Sequence, residues 1–380
     1  MHVALLSLDR DLPLGGARGA SVRMRGLATA LARAGHSVRI AVRRLGCDED
    51  VIPLRAAGLE VVLLPERLSP RDLEGLLGRE RPDLVVERLA PLATEGALAA
   101  AALGTPHLYE VPAPLDRSRD CALRPADEPR AQAAFAQGFA ASGGAITGSE
   151  DAARWVRALA PRDYPVRVLP AGVDPAFARP PDPDALSVAH GDLGPARGFR
   201  VAYPGDPRPG HDLAGLVRAL GRVRVFAPVQ LVLLGDTPER NQLLARCHEQ
   251  RVPLALTGAV PHRRLHAFLS ACDAVALPCA TPEAHVSAIR LLEAMAAGCA
   301  VVASATATAR RVVRDRVDGL LVPPGDVEAL ASALLRLARG PELRQRLGRA
   351  AREAVGVRRT WDEVAACVLD FRLACAENAS

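Results

Sequence analysis

The chain contains no lysine: all 48 of its basic residues are arginine. That excludes a Schiff-base lysine and the lysine of a phosphate-binding P-loop. Any bound phosphate must be held by arginine, histidine, hydroxyl or backbone N–H groups. Aromatic residues are scarce at 3%, too few for a platform that stacks single-stranded nucleic acid. A net charge of +5 without a dense arginine run suits small anions better than nucleic acid. The eight cysteines form no CxxC pair, and several lie in apolar runs such as Cys299-Ala300-Val301-Val302. They read as buried thiols in a reducing compartment, which implies a cytoplasmic chain. No run of about 20 apolar residues is available to span a bilayer. The apolar run at residues 3–8 ends at Asp9, too short for a signal-peptide core, and reads as a first strand.

What is present is an even alternation of short β-type runs and helical patterns. Strand patterns fall at 2–8, 37–42, 61–64, 83–87, 107–111, 145–148 and 166–170, with helical patterns between most of them. The 150–159 helix carries Ser149 as its N-cap. A stretch rich in proline, glycine and aspartate follows at 173–199, without a sustained period, and reads as a linker and loop. The alternation restarts at 200–203 and continues through 230–234, 254–257, 274–277, 300–303 and 320–322. The last 40 residues look helical. A chain of 380 residues with 49% hydrophobic content has material for two cores. The reading is therefore α/β: two doubly wound, Rossmann-like parallel domains, 1–172 and 200–355, with a helical tail at 356–380 expected to pack back on the first domain. Ligands of such sheets bind at the carboxyl ends of the strands, and a cleft between two such domains is the expected site.

Three constellations stand out. Gly15-Gly16-Ala17-Arg18-Gly19-Ala20 lies between the first strand and the first helix. Its glycines let backbone approach a ligand, and the helix start favours an anion. It is not a dinucleotide fingerprint, because GxGxxG is absent and Val42-Arg43-Arg44 places no acid after the second strand. Ser287-Ala288-Ile289-Arg290-Leu291-Leu292-Glu293 opens a helix, with Ser287 as N-cap. Its free N–H groups suit a diphosphate, Arg290 suits phosphate oxygens and Glu293 suits ribose hydroxyls. The plainer alternative is an i,i+3 salt bridge between Arg290 and Glu293. Third, Arg208 and His211 sit in Gly205-Asp206-Pro207-Arg208-Pro209-Gly210-His211-Asp212, a reasonable anion site or a solvated turn. His262 and His266 are spaced i,i+4, but without an obvious third ligand they read as a helix-surface pair rather than a metal site. Asp182-Pro183-Asp184 and Asp48-Glu49-Asp50 read as solvated loops. Arg18, Arg23, Arg25 and Arg33 suggest a solvated face of the first helix, with peripheral contact to an anionic membrane as the alternative. No GxSxG elbow or Cys/His nucleophile pairing is present.

Taken in order, GGARGASVRMRGLATALARAGHSVRI, PDLVVER, TPHLYEVPAPL, ITGSEDAARWV and VLPAGVDPAF resemble retaining glycosyltransferases of the GT-B fold, family 4. In the second half GDPRPGHDL, LVLLGD, LTGAVPHRRL, DAVALP, SAIRLLEAMAAGCAVVAS and DGLLVPPGDVEALA extend the resemblance over nearly the whole chain. It implies transfer of a sugar from a nucleotide diphosphate donor to an acceptor, with retained anomeric configuration. The implied donor site lies mainly on the second domain. Gly15 and Gly16 would approach the phosphates and acceptor, and Arg208 and His211 would hold the diphosphate. Ser287, Ala288 and Ile289 would give backbone N–H groups, Arg290 would add charge and Glu293 would bind ribose. His285, Arg290 and Glu293 would line the reacting centre, and Val260 would contact the base. No metal and no cofactor beyond the sugar nucleotide is implied, since helix starts and cationic side chains would stabilise the leaving diphosphate.

Several positions depart from the family pattern. Pro112 stands where a histidine or asparagine is usual, and Asp206 where arginine or serine is common. Ala171 replaces an asparagine, and His285 takes the first place of a Glu-x7-Glu pair. Those departures point to the alternative of a non-catalytic GT-B protein or auxiliary partner.

Overall fold

The computed structural model describes residues 1–111, 127–169, 171–207, 210–284, 286–356 and 359–377. Two parallel sheets carry the chain. The first holds β1 (His2–Ser7), β2 (Ser37–Val42), β3 (Glu60–Leu63), β4 (Leu84–Arg88), β5 (His107–Val111), β6 (Gly144–Thr147) and β7 (Val166–Val168), in the order β3-β2-β1-β4-β5-β6-β7. The second holds β8 (Phe199–Pro204), β9 (Val229–Leu234), β10 (Leu254–Leu256), β11 (Ala274–Leu277), β12 (Ala300–Ser304) and β13 (Leu320–Val322), in the order β10-β9-β8-β11-β12-β13. β8 and β9 are buried along their whole length, with Val201 opposite Leu231, so they read in sequence as unbroken apolar runs. In each sheet the winding reverses beside the first strand, between β1 and β4 and between β8 and β11. That switch point opens a crevice at the carboxyl ends of the strands.

Residues 1–15, 20–172 and the C-terminal helix form one compact unit; residues 16–19 and 173–360 form the other. The C-terminal helix Trp361–Glu377 is tied to the first helix, Gly19–Arg33. Trp361 is 1% exposed and lies against Gly26, where a Cβ would collide with the indole. No described helix is long and apolar enough to cross a membrane.

The structure corrects three local expectations. The 173–199 stretch is not simply a linker and loop: it folds into a 3-10 turn, Pro175–Ala178, and a helix, Pro183–Leu193. Asp182 is the N-cap of that helix, accepting from the Asp184 amide at 3.1 Å, with proline in the first turn. Asp48-Glu49-Asp50 is the first turn of the helix Asp48–Ala56, and Asp50 is buried 3.7 Å from Arg25. Arg23 and Arg25 therefore do not form a solvated face. Arg23 pairs with buried Glu110, and Arg25 donates to the Leu14 carbonyl. Desolvating these guanidinium groups is tolerable only because each meets a carboxylate.

A buried polar chain runs through the same unit. His107 Nε2 lies 2.9 Å from Glu87 Oε2, His107 Nδ1 lies 3.0 Å from Ser142 Oγ, and the Tyr164 hydroxyl donates to Ser142 at 3.1 Å. Burial pushes the Glu87 carboxyl above its ordinary value, against the pull of His107.

Candidate functional site

The second sheet builds the site from its switch point. β8 delivers the chain to Gly205, whose φ of +78° lies in the left-handed region. Its amide donates to the Leu234 carbonyl at 2.6 Å. A Cβ there would run into the Arg290 guanidinium, so glycine lets that side chain lie flat over the turn. Arg290 also reaches the Asp206 carbonyl at 3.4 Å through both terminal nitrogens. The 210–212 segment is stitched to the chain after β11: Asp212 N–H donates to Pro278 O at 3.0 Å, and Ala280 N–H to Gly210 O at 2.9 Å. His211 Nδ1 faces the Tyr203 hydroxyl in a short hydrogen bond.

The helix Ala288–Ala296 starts at the same place. Ser287 caps it, its hydroxyl facing the Arg290 amide at 3.5 Å. Because Ser287 takes the Arg290 amide, the amides of Ala288 and Ile289 remain at the helix start, where the dipole favours negative charge. Ile289 buries its side chain and Ala288 is half-buried, so both serve through backbone. Tyr203, His211, Leu277, Pro278, Ser287 and Arg290 close around one narrow crevice. His211, Ser287 and Arg290, separate in sequence, thus share one small volume.

Glu293 does not pair with Arg290 as the i,i+3 alternative required. It lies on the buried face, 3% exposed, and its Oε1 sits 2.5 Å from His262 Nε2. Reading His262 and His266 as a surface pair is also overturned. His266 is buried, and both rings lie against Phe177, at 5.6 and 5.1 Å between centroids. Burial and the nearby Arg352 hold His266 below its usual value, so it stays neutral. Among the described residues no three His, Cys, Asp or Glu side chains gather as a metal site. Sequence reasoning missed His262 as a partner of Glu293; the contact spans 31 residues, and a helix-surface spacing rule cannot see it.

Asp206, a departure from the family pattern, turns its carboxylate to the Asp236 amide at 3.0 Å. Val260 is buried in the loop before the helix His262–Ser270 and does not line the crevice. In the first unit, Gly15 donates to the Leu45 carbonyl at 2.6 Å, and a Cβ there would strike the Cys47 carbonyl. Gly16 has φ of +113°, a conformation that favours glycine. Arg208, His285 and Pro112 lie outside the described residues.

Comparison with known proteins bears on both halves of the chain. Residues 199–354 match the family described as "Glycosyl transferases group 1", and residues 18–172 match "Glycosyl transferase 4-like domain". A D-inositol 3-phosphate glycosyltransferase of Xylanimonas cellulosilytica is 31% identical over 97% of this chain and 95% of its own. A phosphatidyl-myo-inositol mannosyltransferase of Mycobacterium leprae is 37% identical over 49% of this chain and 50% of its own. Among solved structures, a glycosyltransferase of Rickettsia africae aligns with a TM-score of 0.76 at 15% identity, over 99% of this chain and 98% of that one. Anabaena HepE, solved with UDP and glucose, aligns with a TM-score of 0.74 at 18% identity, over 98% and 99%. These likenesses show the fold.

Proposed function

The chain belongs to the group 1 glycosyltransferases, family 4, and on that premise we propose that it transfers a sugar from a nucleotide diphosphate-sugar to an acceptor, retaining anomeric configuration and using no metal. The observation that carries this reading is the crevice at the second switch point, where Arg290, His211 and a Ser287-capped helix start converge. As the bond from the anomeric carbon to the diphosphate breaks, charge grows on the leaving phosphate oxygens. Arg290 and the amides of Ala288 and Ile289 are placed to stabilise that charge in a water-poor site. His211, held at Nδ1 by Tyr203, lies beside the same group. Glu293 presents its second carboxylate oxygen to the ribose hydroxyls while His262 holds the first. Val260, whose side chain is buried, would serve the base through its backbone, and Gly16, in the same unit as the crevice, would bring backbone to the phosphates. The family pattern would add Arg208 to the diphosphate site and His285 to the reacting centre; both lie outside the described residues.

The seven described cysteines are all free thiols, which supports a reducing, cytoplasmic setting. The printed activities of the relatives make inositol phosphates and phosphatidylinositol the first acceptors to try. The test is transfer by the purified chain with UDP-, GDP- and dTDP-sugars, beside the Arg290→Ala and Glu293→Ala variants. Each variant is expected to lose at least about tenfold in transfer, the loss of one charge-assisted contact. Full activity in both variants would remove these residues from the site. Binding of no sugar nucleotide to the parent chain would remove the donor assignment.

A further inference from the structure

The second unit holds another opening, at the opposite end of its sheet. A hollow of about 820 Å³ lies by the amino ends of β8 and β11, walled by His190, Gly194, Arg200, Ser270, Cys272 and Asp273. Along β8 its lining residue Arg200 and the crevice's Tyr203 lie three residues, about 10 Å, apart.

Arg200 is the unusual feature. It is 4% exposed, yet its guanidinium meets only neutral acceptors. Nε donates to Gln230 Oε1 at 3.1 Å, Nη1 lies 3.5 Å from His190 Nδ1, and Nη2 donates to the Gly194 carbonyl. These occupy three of the five N–H donors of an arginine, which leaves two. The buried arginines of the first unit, Arg23 and Arg25, each have a carboxylate; among the described residues Arg200 has none within ion-pair distance. A buried cation without an ion-pair partner carries a desolvation cost that hydrogen bonds to neutral acceptors offset only in part.

The nearby carboxylate is engaged elsewhere. Asp273 Oδ2 accepts from the Arg200 backbone amide at 2.8 Å, and Oδ1 faces Arg344 at 3.6 Å. Burial pushes the Cys272 thiol up, so it adds no negative charge. The Ser270 hydroxyl, closed to solvent, has no hydrogen-bond partner among the described residues. Two guanidinium donors, a hydroxyl and an imidazole edge therefore lie at the wall of the hollow, where the one lining carboxylate, Asp273, is already held by the Arg200 amide and faces Arg344.

We propose that this hollow is a second binding site, distinct from the donor crevice, for the phosphate group of a small phosphorylated molecule. Donors from three side chains match the three free oxygens of a phosphate monoester better than the two of a carboxylate. No phenylalanine, tyrosine or tryptophan lines the wall, so a nucleotide base would find only the His190 ring beside it. The volume admits a body of sugar size beside the phosphate.

Isothermal titration of the full chain with inorganic phosphate, ribose 5-phosphate and acetate tests the site. The expected result is saturable phosphate binding that Ser270→Ala weakens about tenfold, the loss of one hydrogen bond to a charged group. Arg290→Ala, in the donor crevice, leaves the Ser270-dependent part of that binding unchanged. Arg200→Gln abolishes it while keeping native circular dichroism, and Ser270→Ala carries the test if Arg200→Gln does not fold. Tighter binding of ribose 5-phosphate identifies a monoester as the occupant, and equal binding identifies free phosphate. Absence of saturable binding, its loss in Arg290→Ala, or acetate binding as tightly as phosphate overturns the site.

Discussion

The contact between His262 and Glu293 can be weighed directly, because it is both the least exposed charge contact of the candidate donor site and the one that the sequence hid. Glu293 is 3% exposed and its Oε1 lies 2.5 Å from His262 Nε2. Removing one partner of a fully buried pair costs about 3–5 kcal/mol, because the other is left uncompensated. The His262 side chain is 16% exposed, so water reaches one flank of the contact. The expected cost of His262→Phe, which keeps an aromatic ring against Phe177, is therefore about 2–3 kcal/mol, in the range of a hydrogen bond to a charged group. Glu293→Gln keeps the shape and removes the charge that needs a partner. The double variant should then cost less than the sum of the singles by at least about 1.5 kcal/mol. The assay needs care, because both tryptophans, Trp155 and Trp361, belong to the first unit. Fluorescence would report the wrong half of the chain. Far-ultraviolet circular dichroism in urea, with hydrogen exchange of the helix Ala288–Ala296, reads the right one. With a donor in hand, His262→Phe should raise its KM while leaving kcat nearly unchanged, since His262 acts through Glu293 and not on the reacting atoms. Additivity within about 0.5 kcal/mol, or a His262→Phe variant as stable as the parent, refutes the reasoning.

Three other expectations concern stability. Burial raises the Glu87 carboxyl above its ordinary value of 4.5. A folded chain that binds the proton more tightly than the unfolded one loses stability as pH rises beyond that value. Glu87→Gln should therefore gain on the parent in urea midpoints as pH rises above about 4.5, and a gap that shrinks over that rise contradicts the assignment. Gly26→Ala drives a methyl into the Trp361 indole and should cost about 1–3 kcal/mol, read by tryptophan fluorescence, which here reports the right unit. Asp182→Ala removes the cap of the helix Pro183–Leu193 and should cost about 1 kcal/mol, visible as faster amide exchange in that helix alone.

What sequence patterning reveals and hides here follows from the range of the interaction involved. The strands were legible because parallel strands covered on both faces are short apolar runs; β5, β11 and β13 have the bounds their hydrophobicity suggests. The helix Pro183–Leu193 is obscured in the sequence because its start signals are equally those of a turn. Asp182 followed by Pro183 is as much a cap and first-turn proline as a loop, and the apolar spacing of Leu186, Ala189 and Leu193 is diluted by glycine. The charged residues were hidden for a different reason. Spacing rules report only neighbours within a turn or two, and they paired Arg290 with Glu293 and His262 with His266. The fold instead pairs each across 20 to about 90 positions: Glu293 with His262, Glu87 with His107, Arg23 with Glu110. Arg290 needs Gly205, 85 positions away, to have room at all. Local pattern thus locates the helix start that can hold a phosphate, whereas the orientation of the groups around it is a property of the switch point. That is why substitution at His262, which no motif marks, is expected to disturb donor binding as surely as substitution within the motif itself.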